Sequence, residues 1–414
     1  MRMSRMPRVL LALAAAGTIS TAALAEDTVK IGFIDPLSGP FAATGTNGLK
    51  QTQFAVDTLI NADPPLGMKW EVIPYDNQIS PKESLLQLKK AIGDGVHYIL
   101  QGNSSGVANA LTEAVAKNNA RNPDHQILYL NYSAVDPALT NEKCNFWHFR
   151  FDANADQKMN ALTDFIVSQP DIKKIYIIGQ DYSFGKAVAA AANQMLGEKS
   201  SSIEIVGDEL HPIGKVKDFA PYVTKIKESG ADAIITGNWG ADMLNLAKAV
   251  NQAGLDVPIY TYYAAYDGIT AALGEGGKDQ IYLIHEGHVN PAPTEELREY
   301  HKAFKAKYPE ADLTQGRLVN ALQMLAEAMR KANSVEPGAV ARALEGMEFK
   351  AINGDMLKMR AEDHQIIQPI QISVHTDEDI EFDGDNSGYG LKTVTSIPAE
   401  KTVLETSCQM DRPS

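Results

Sequence analysis

Val96-His97-Tyr98-Ile99-Leu100-Gln101-Gly102-Asn103-Ser104-Ser105-Gly106-Val107-Ala108 begins as a short apolar run and breaks at a small, polar, glycine-flanked turn. An Ala/Leu-rich segment with helical spacing follows, from Val107 to Val115. The pattern is strand, tight loop, helix. The first turn of a helix carries free N–H groups and a partial positive charge. A loop of Gly, Asn and Ser lets a ligand approach those groups and adds hydroxyls, so it can hold a carboxylate or phosphate without a charged side chain. The device recurs at Ala233-Ile234-Ile235-Thr236-Gly237-Asn238-Trp239-Gly240-Ala241-Asp242-Met243. Two copies, far apart in the chain, predict two similar lobes facing one ligand. One copy offers small hydroxyls and the other a large aromatic surface.

Outward from the first copy, strand and helix alternate. Val29 to Ile34, Trp70 to Tyr75 and Gln126 to Asn131 read as strands, and Gly45 to Ile60 as a helix. Ser80-Pro81-Lys82-Glu83 reads as the capped start of another helix. Such alternation implies a parallel sheet covered on both faces. Its loops gather at the strand C-termini, where ligands bind in open α/β sheets. Ser38, Ser104 and Ser133 all fall just past strand ends. Phe146 to Phe151 reads as a link, after which the pattern restarts with strands at Lys174 to Gly179, Ile203 to Asp208, Val257 to Thr261 and Gln280 to His285. This second rim carries Tyr182, Phe184, Trp239 and Tyr263. Amphipathic helices at Thr294 to Tyr308 and Thr314 to Ala332 are assigned to the first lobe, and Ile370 to Val374 alternates as a strand. The expected division is a first lobe of 26–149 plus 286–352 and a second of 150–285 plus 353–414, with the polar tail free to return to the first.

A chain of 414 residues fits two lobes, and its 44% hydrophobic and 22% charged content is that of a globular protein. A net charge of −14 argues against a nucleic-acid groove. Arg2, Arg5 and Arg8 precede the apolar run Val9 to Ala16, and Ala23-Leu24-Ala25 follows. That is a signal peptide with cleavage expected after Ala25. In an exported chain, Cys144 and Cys408 most simply form one disulfide, which would tie the tail to the first third of the sequence.

Ser38-Gly39-Pro40, Gly102-Asn103-Ser104-Ser105, Ala134-Val135-Asp136-Pro137-Ala138-Leu139-Thr140 and Asp181-Tyr182-Ser183-Phe184-Gly185 together resemble the leucine/isoleucine/valine-binding proteins. These are periplasmic solute-binding components of ABC importers. The resemblance covers nearly the whole mature chain. It implies an α/β, type I periplasmic-binding fold: two doubly wound parallel-sheet lobes joined by three crossing segments, closing on a ligand by hinge motion. It further implies a monomer that hands a small carboxylate-bearing ligand, an amino acid or an aromatic or aliphatic acid, to a membrane permease, without a cofactor. Ser104 and Ser105 match the serine contacts to the ligand carboxylate. Ser133 and Ala134 fall in the segment that binds its polar end, although Val135 stands where Thr is usual. Phe184 and Trp239 match family tyrosines, and with Tyr182 and Tyr263 would enclose the body of the ligand. Phe41 and Thr44 are weaker candidates. An acidic partner for a ligand ammonium should fall near Tyr263, where Tyr262-Tyr263-Ala264-Ala265-Tyr266 holds no carboxylate.

Gly102-Asn103-Ser104-Ser105-Gly106 also satisfies the G-x-S-x-G nucleophile elbow, in strand–turn–helix context. A secreted serine hydrolase using Ser104 is therefore the competing expectation, weighed lower because no His-Gly oxyanion motif precedes it. Gly179 to Lys186 misses P-loop spacing, His285-Glu286-Gly287-His288 misses zinc-protease spacing, and Asp383-Gly384-Asp385-Asn386 lacks the Glu of a calcium loop. No metal is expected.

Overall fold

The computed structural model describes residues 28–287 and 289–413; the expected signal peptide and its cleavage site lie outside them. The first sheet has five strands: β1 (Val29–Asp35), β2 (Trp70–Asp76), β3 (Tyr98–Gln101), β4 (Leu128–Asn131) and β5 (His148–Arg150). Its order is β2-β1-β3-β4-β5 and every pairing is parallel. Near-continuous apolar strands are what a sheet buried on both faces requires. Helices α1 (Ala42–Ala55), α2 (Pro81–Gly93) and α3 (Ser105–Arg121) alternate with these strands. The expected cap at α2 forms, with Ser80 Oγ accepting from the Glu83 amide at 3.2 Å.

After α4 (Ala155–Val167) the pattern repeats: β6 (Lys174–Gln180), α5 (Ser183–Lys199), β7 (Glu204–His211), α6 (Ala220–Ser229), β8 (Ala233–Thr236), α7 (Gly240–Ala253), β9 (Ile259–Thr261), α8 (Ile269–Leu273) and β10 (Ile281–His285). Then come α9 (Glu295–Lys307), α10 (Gly316–Ala332) and α11 (Pro337–Leu344), which pack in the first core through Phe304, Leu318, Leu322 and Val340. Three short strands, β11 (Glu348–Lys350), β12 (Met356–Met359) and β13 (Ile366–Ile367), make a small antiparallel sheet. Finally β14 (Ile370–Thr376) and β15 (Gly390–Ile397) extend the second sheet, whose order is β15-β14-β10-β9-β8-β6-β7.

Three readings shift. Phe146 to Phe151 is more than a link, because β5 closes the edge of the first sheet before the chain crosses at 151–154. The third passage lies later than the expected boundary at 352/353: Leu357, Met359 and Ile366 belong to the first core, and the chain crosses between β13 and β14. The polar tail contributes β15, whose exposed face alternates with Leu391 and its neighbours and so lacks an apolar run. Beyond it the tail does return to the first lobe, where Cys408 forms a disulfide with Cys144 at a Cα separation of 5.7 Å.

Candidate ligand-binding cleft

The C-terminal ends of β1, β3 and β4 face those of β6, β8 and β9 across a cleft of about 750 Å³ of empty space, mouth included. Ser104, Ser105, Ser133 and Ala134 line one side, and Tyr182, Phe184, Trp239 and Tyr263 the other. All eight residues singled out in the sequence thus meet. Thr44 joins them. Ser38 does not: it is exposed and donates to Asp76 at 2.5 Å.

Ser104 is the N-cap of α3 with φ 79° and ψ 111°, and its hydroxyl caps no helix amide. A serine in this sparsely populated region is held there by its surroundings, as happens at ligand clamps. What holds it is Asp35 at the end of β1. Its carboxylate accepts from the Asn103 amide at 2.9 Å, the Gly102 amide at 3.3 Å and the Tyr132 hydroxyl. Gly102 is required, since a Cβ there would lie 2.7 Å from the Tyr132 ring. Burial pushes the Asp35 carboxyl up to about 7 against the pull of these donors. Ser105 Oγ accepts from the Asp136 amide at 3.2 Å, and Ser133 Oγ accepts from Arg317 at 3.0 Å. The amides of Ser133 and Ala134 both donate to Asn131 Oδ1, at 3.2 and 2.7 Å. Asn131 thus partners both buried amides, and Ala134 lines the cleft.

Tyr182 and Trp239 are the N-cap residues of α5 and α7, and neither side chain caps its own helix. Trp239 Nε1 donates instead to the Tyr182 hydroxyl at 2.9 Å. The Phe184 ring sits 6.0 Å from Tyr182 and 5.8 Å from Tyr263 between centroids, edge-on to both. Across the lobes, Phe41 meets Trp239 at 4.3 Å and is 3% exposed within the second core. Gly240 makes room for it: φ is 56°, and a Cβ would stand 2.5 Å from the Phe41 ring.

Two charged features escaped the sequence reading. Arg317, at the start of α10, lines the cleft and pairs with both oxygens of Glu286 at 2.8 Å. Its Nε stands 3.5 Å from Asp152, which also pairs with Lys158 at 2.8 Å. All four side chains are nearly or fully buried, and the set is neutral. Burial opposes ionisation of Glu286, yet Arg317 and Lys158 outweigh it and hold the carboxyl down at about 2. The available signal was an arginine opening a helix, where the dipole disfavours a cation; it needs a carboxylate partner. The second feature is Asp267. It lines the cleft from a turn in which Tyr266 and Asp267 both have positive φ, 64° and 55°. Asn47 donates to it at 3.4 Å, and burial pushes its carboxyl up to about 6. Asp267 thus brings a carboxylate to the cleft four residues after Tyr263 in the chain.

Residues 28–377 match the family model described as periplasmic binding protein. The chain is 33% identical, over 97% of both chains, to Leu/Ile/Val-binding protein homolog 4 of Brucella abortus. Its fold is similar to the closed conformation of the leucine-, isoleucine-, valine-, threonine- and alanine-binding protein of Brucella ovis, with 29% identity, a TM-score of 0.82, and coverage of 94% of this chain and 100% of that one. A solute-binding protein from Rhodopseudomonas palustris in complex with 3,4-dihydroxy benzoic acid shares the fold at 20% identity and a TM-score of 0.77, over 90% and 98% of the two chains. With two α/β lobes and a family match along most of its length, the chain belongs to the periplasmic binding protein family, among relatives named for leucine, isoleucine and valine.

Proposed function

We propose that the protein captures a hydrophobic α-amino acid between its lobes in the periplasm and presents it to the permease of an ABC importer, without chemistry. The observation that carries this reading is the pairing of an uncapped serine at the N-terminus of α3 with a carboxylate, Asp267, in one aromatic-walled cleft. The α3 amides and Ser104 suit the ligand carboxylate. A desolvated ammonium needs a counter-charge, which Asp267 supplies; Asp152 and Glu286 are already engaged by Lys158 and Arg317. Tyr182, Phe184, Trp239 and Tyr263 surround an apolar side chain. Relatives named for branched-chain amino acids support the same class.

The hydrolase alternative requires a base on Ser104. Among the described residues no histidine hydrogen-bonds its hydroxyl, and the cleft-lining His285 pairs with Ser373 at 3.2 Å. Thermal shift against branched-chain and aromatic amino acids, beside the same acids lacking the amino group, tests the proposal through linkage. Amino acids should raise the melting temperature and their deaminated analogues should not. Ser104→Ala combined with Ser105→Ala should weaken the shift. A response to the deaminated acids alone would refute the amino-acid reading, and labelling of Ser104 by a fluorophosphonate would favour the hydrolase.

A further inference from the structure

Behind the cleft lies a second cavity of about 670 Å³ of empty space, openings included. Tyr266, His285 and Thr314 line both, so the two spaces adjoin. Its walls come from α9 (Leu297, Tyr300), the lead into α10 (Leu313), α10 itself (Val319), the stretch before β12 (Ile352) and β15 (Leu391). Leu391 belongs to the second sheet and the others to the first core. The cavity therefore sits in the hinge, with both lobes contributing. Glu286 is on its wall, but both its oxygens are engaged by Arg317 at 2.8 Å. Among the described lining residues Glu286 is the only carboxylate, and no lysine or arginine lines the cavity.

We infer that this annex is a subsite for the uncharged, apolar tail of a ligand longer than leucine, whose carboxylate is held at Ser104. The inference rests on the proposed polar end of the site and extends it to a substrate class: amino acids with an extended aliphatic or arylalkyl side chain. Of the fifteen lining residues six are aliphatic, two are tyrosines and one, Glu286, is a paired charge, beside Thr314, Asn320 and Asn353; the aliphatic side chains form the largest group and favour hydrocarbon over a charged tail. Because the walls come from both lobes, a tail lodged there is enclosed as they close, and its burial adds to the affinity for the closed form.

The experiment is calorimetry with a series of unbranched α-amino acids from aminobutyrate to aminodecanoate length. Affinity should rise about four-fold per methylene and continue to rise beyond the length of leucine. Leu297→Trp, which fills the annex, should abolish the gain for long members and leave short members unchanged. Affinity that falls beyond leucine length, or a Leu297→Trp variant that weakens short and long members alike, would overturn the annex while leaving the polar end intact. Absence of binding by every member would overturn both.

Discussion

Phe41 leaves the first lobe and buries its ring in the second, so truncating it should act on closure rather than on folding. The ring is 3% exposed and lies 4.3 Å from Trp239. Full burial of a phenylalanine contributes about 1.5–3 kcal/mol, and an aromatic pair adds about 0.5–1.5 kcal/mol. If the lobes part in the ligand-free protein, the ring loses these contacts there. Phe41→Ala then penalises only the closed, ligand-bound state. Ligand affinity should fall by roughly 30- to 1,000-fold, the equivalent of about 2–4 kcal/mol, while the melting temperature without ligand changes little. Titration calorimetry and thermal unfolding on the same preparation measure both. A ligand-free melting temperature lowered by several degrees with unchanged affinity would refute the reasoning, because it would mean that Phe41 sits in the second core whether or not ligand is present.

Three further outcomes follow from the buried charges. Asp267 must be ionised to hold an ammonium, and its carboxyl sits at about 6; amino-acid affinity should fall as pH drops below that value, and Asp267→Asn should remove both affinity and pH dependence. Asp35 sits at about 7, above its usual 3.8. The folded state thus binds more protons than the unfolded one between those values, and stability falls as pH rises through the window, by up to about 4 kcal/mol. Denaturation of Asp35→Asn should show a flatter pH profile, and an unchanged profile would remove Asp35 as its source. Arg317→Met leaves Glu286 buried and unpaired and should cost about 3–5 kcal/mol in chemical denaturation; adding Glu286→Gln should recover much of it.

The first, parallel sheet, the parallel part of the second, and the turn at Ser104 were legible because local signals agreed; the antiparallel edge of β14 and β15 was not. Apolar runs of strand length ended in Gly-Asn turns, and helical spacing resumed at once. The eight cleft-lining residues could be read because loops at strand ends in an α/β fold must converge. Asp267 and Arg317 could not be read this way. Asp267 reaches the cleft through two consecutive left-handed residues that are not glycine, a conformation sequence does not advertise. Arg317 and Glu286 meet across 31 positions of chain. The late third passage was hidden because β11 to β13 are two to four residues long, too short to carry periodicity.

The bond between Cys144 and Cys408 spans 264 positions. Every passage between the lobes, the return of the tail after β15 included, and the entire second lobe fall inside the covalent ring it closes. A single proteolytic nick anywhere in that ring therefore leaves both pieces attached. A nicked molecule would run near its full mass on a non-reducing gel and separate into fragments only after reduction. The hinge itself could be cut once and the lobes would still be tethered.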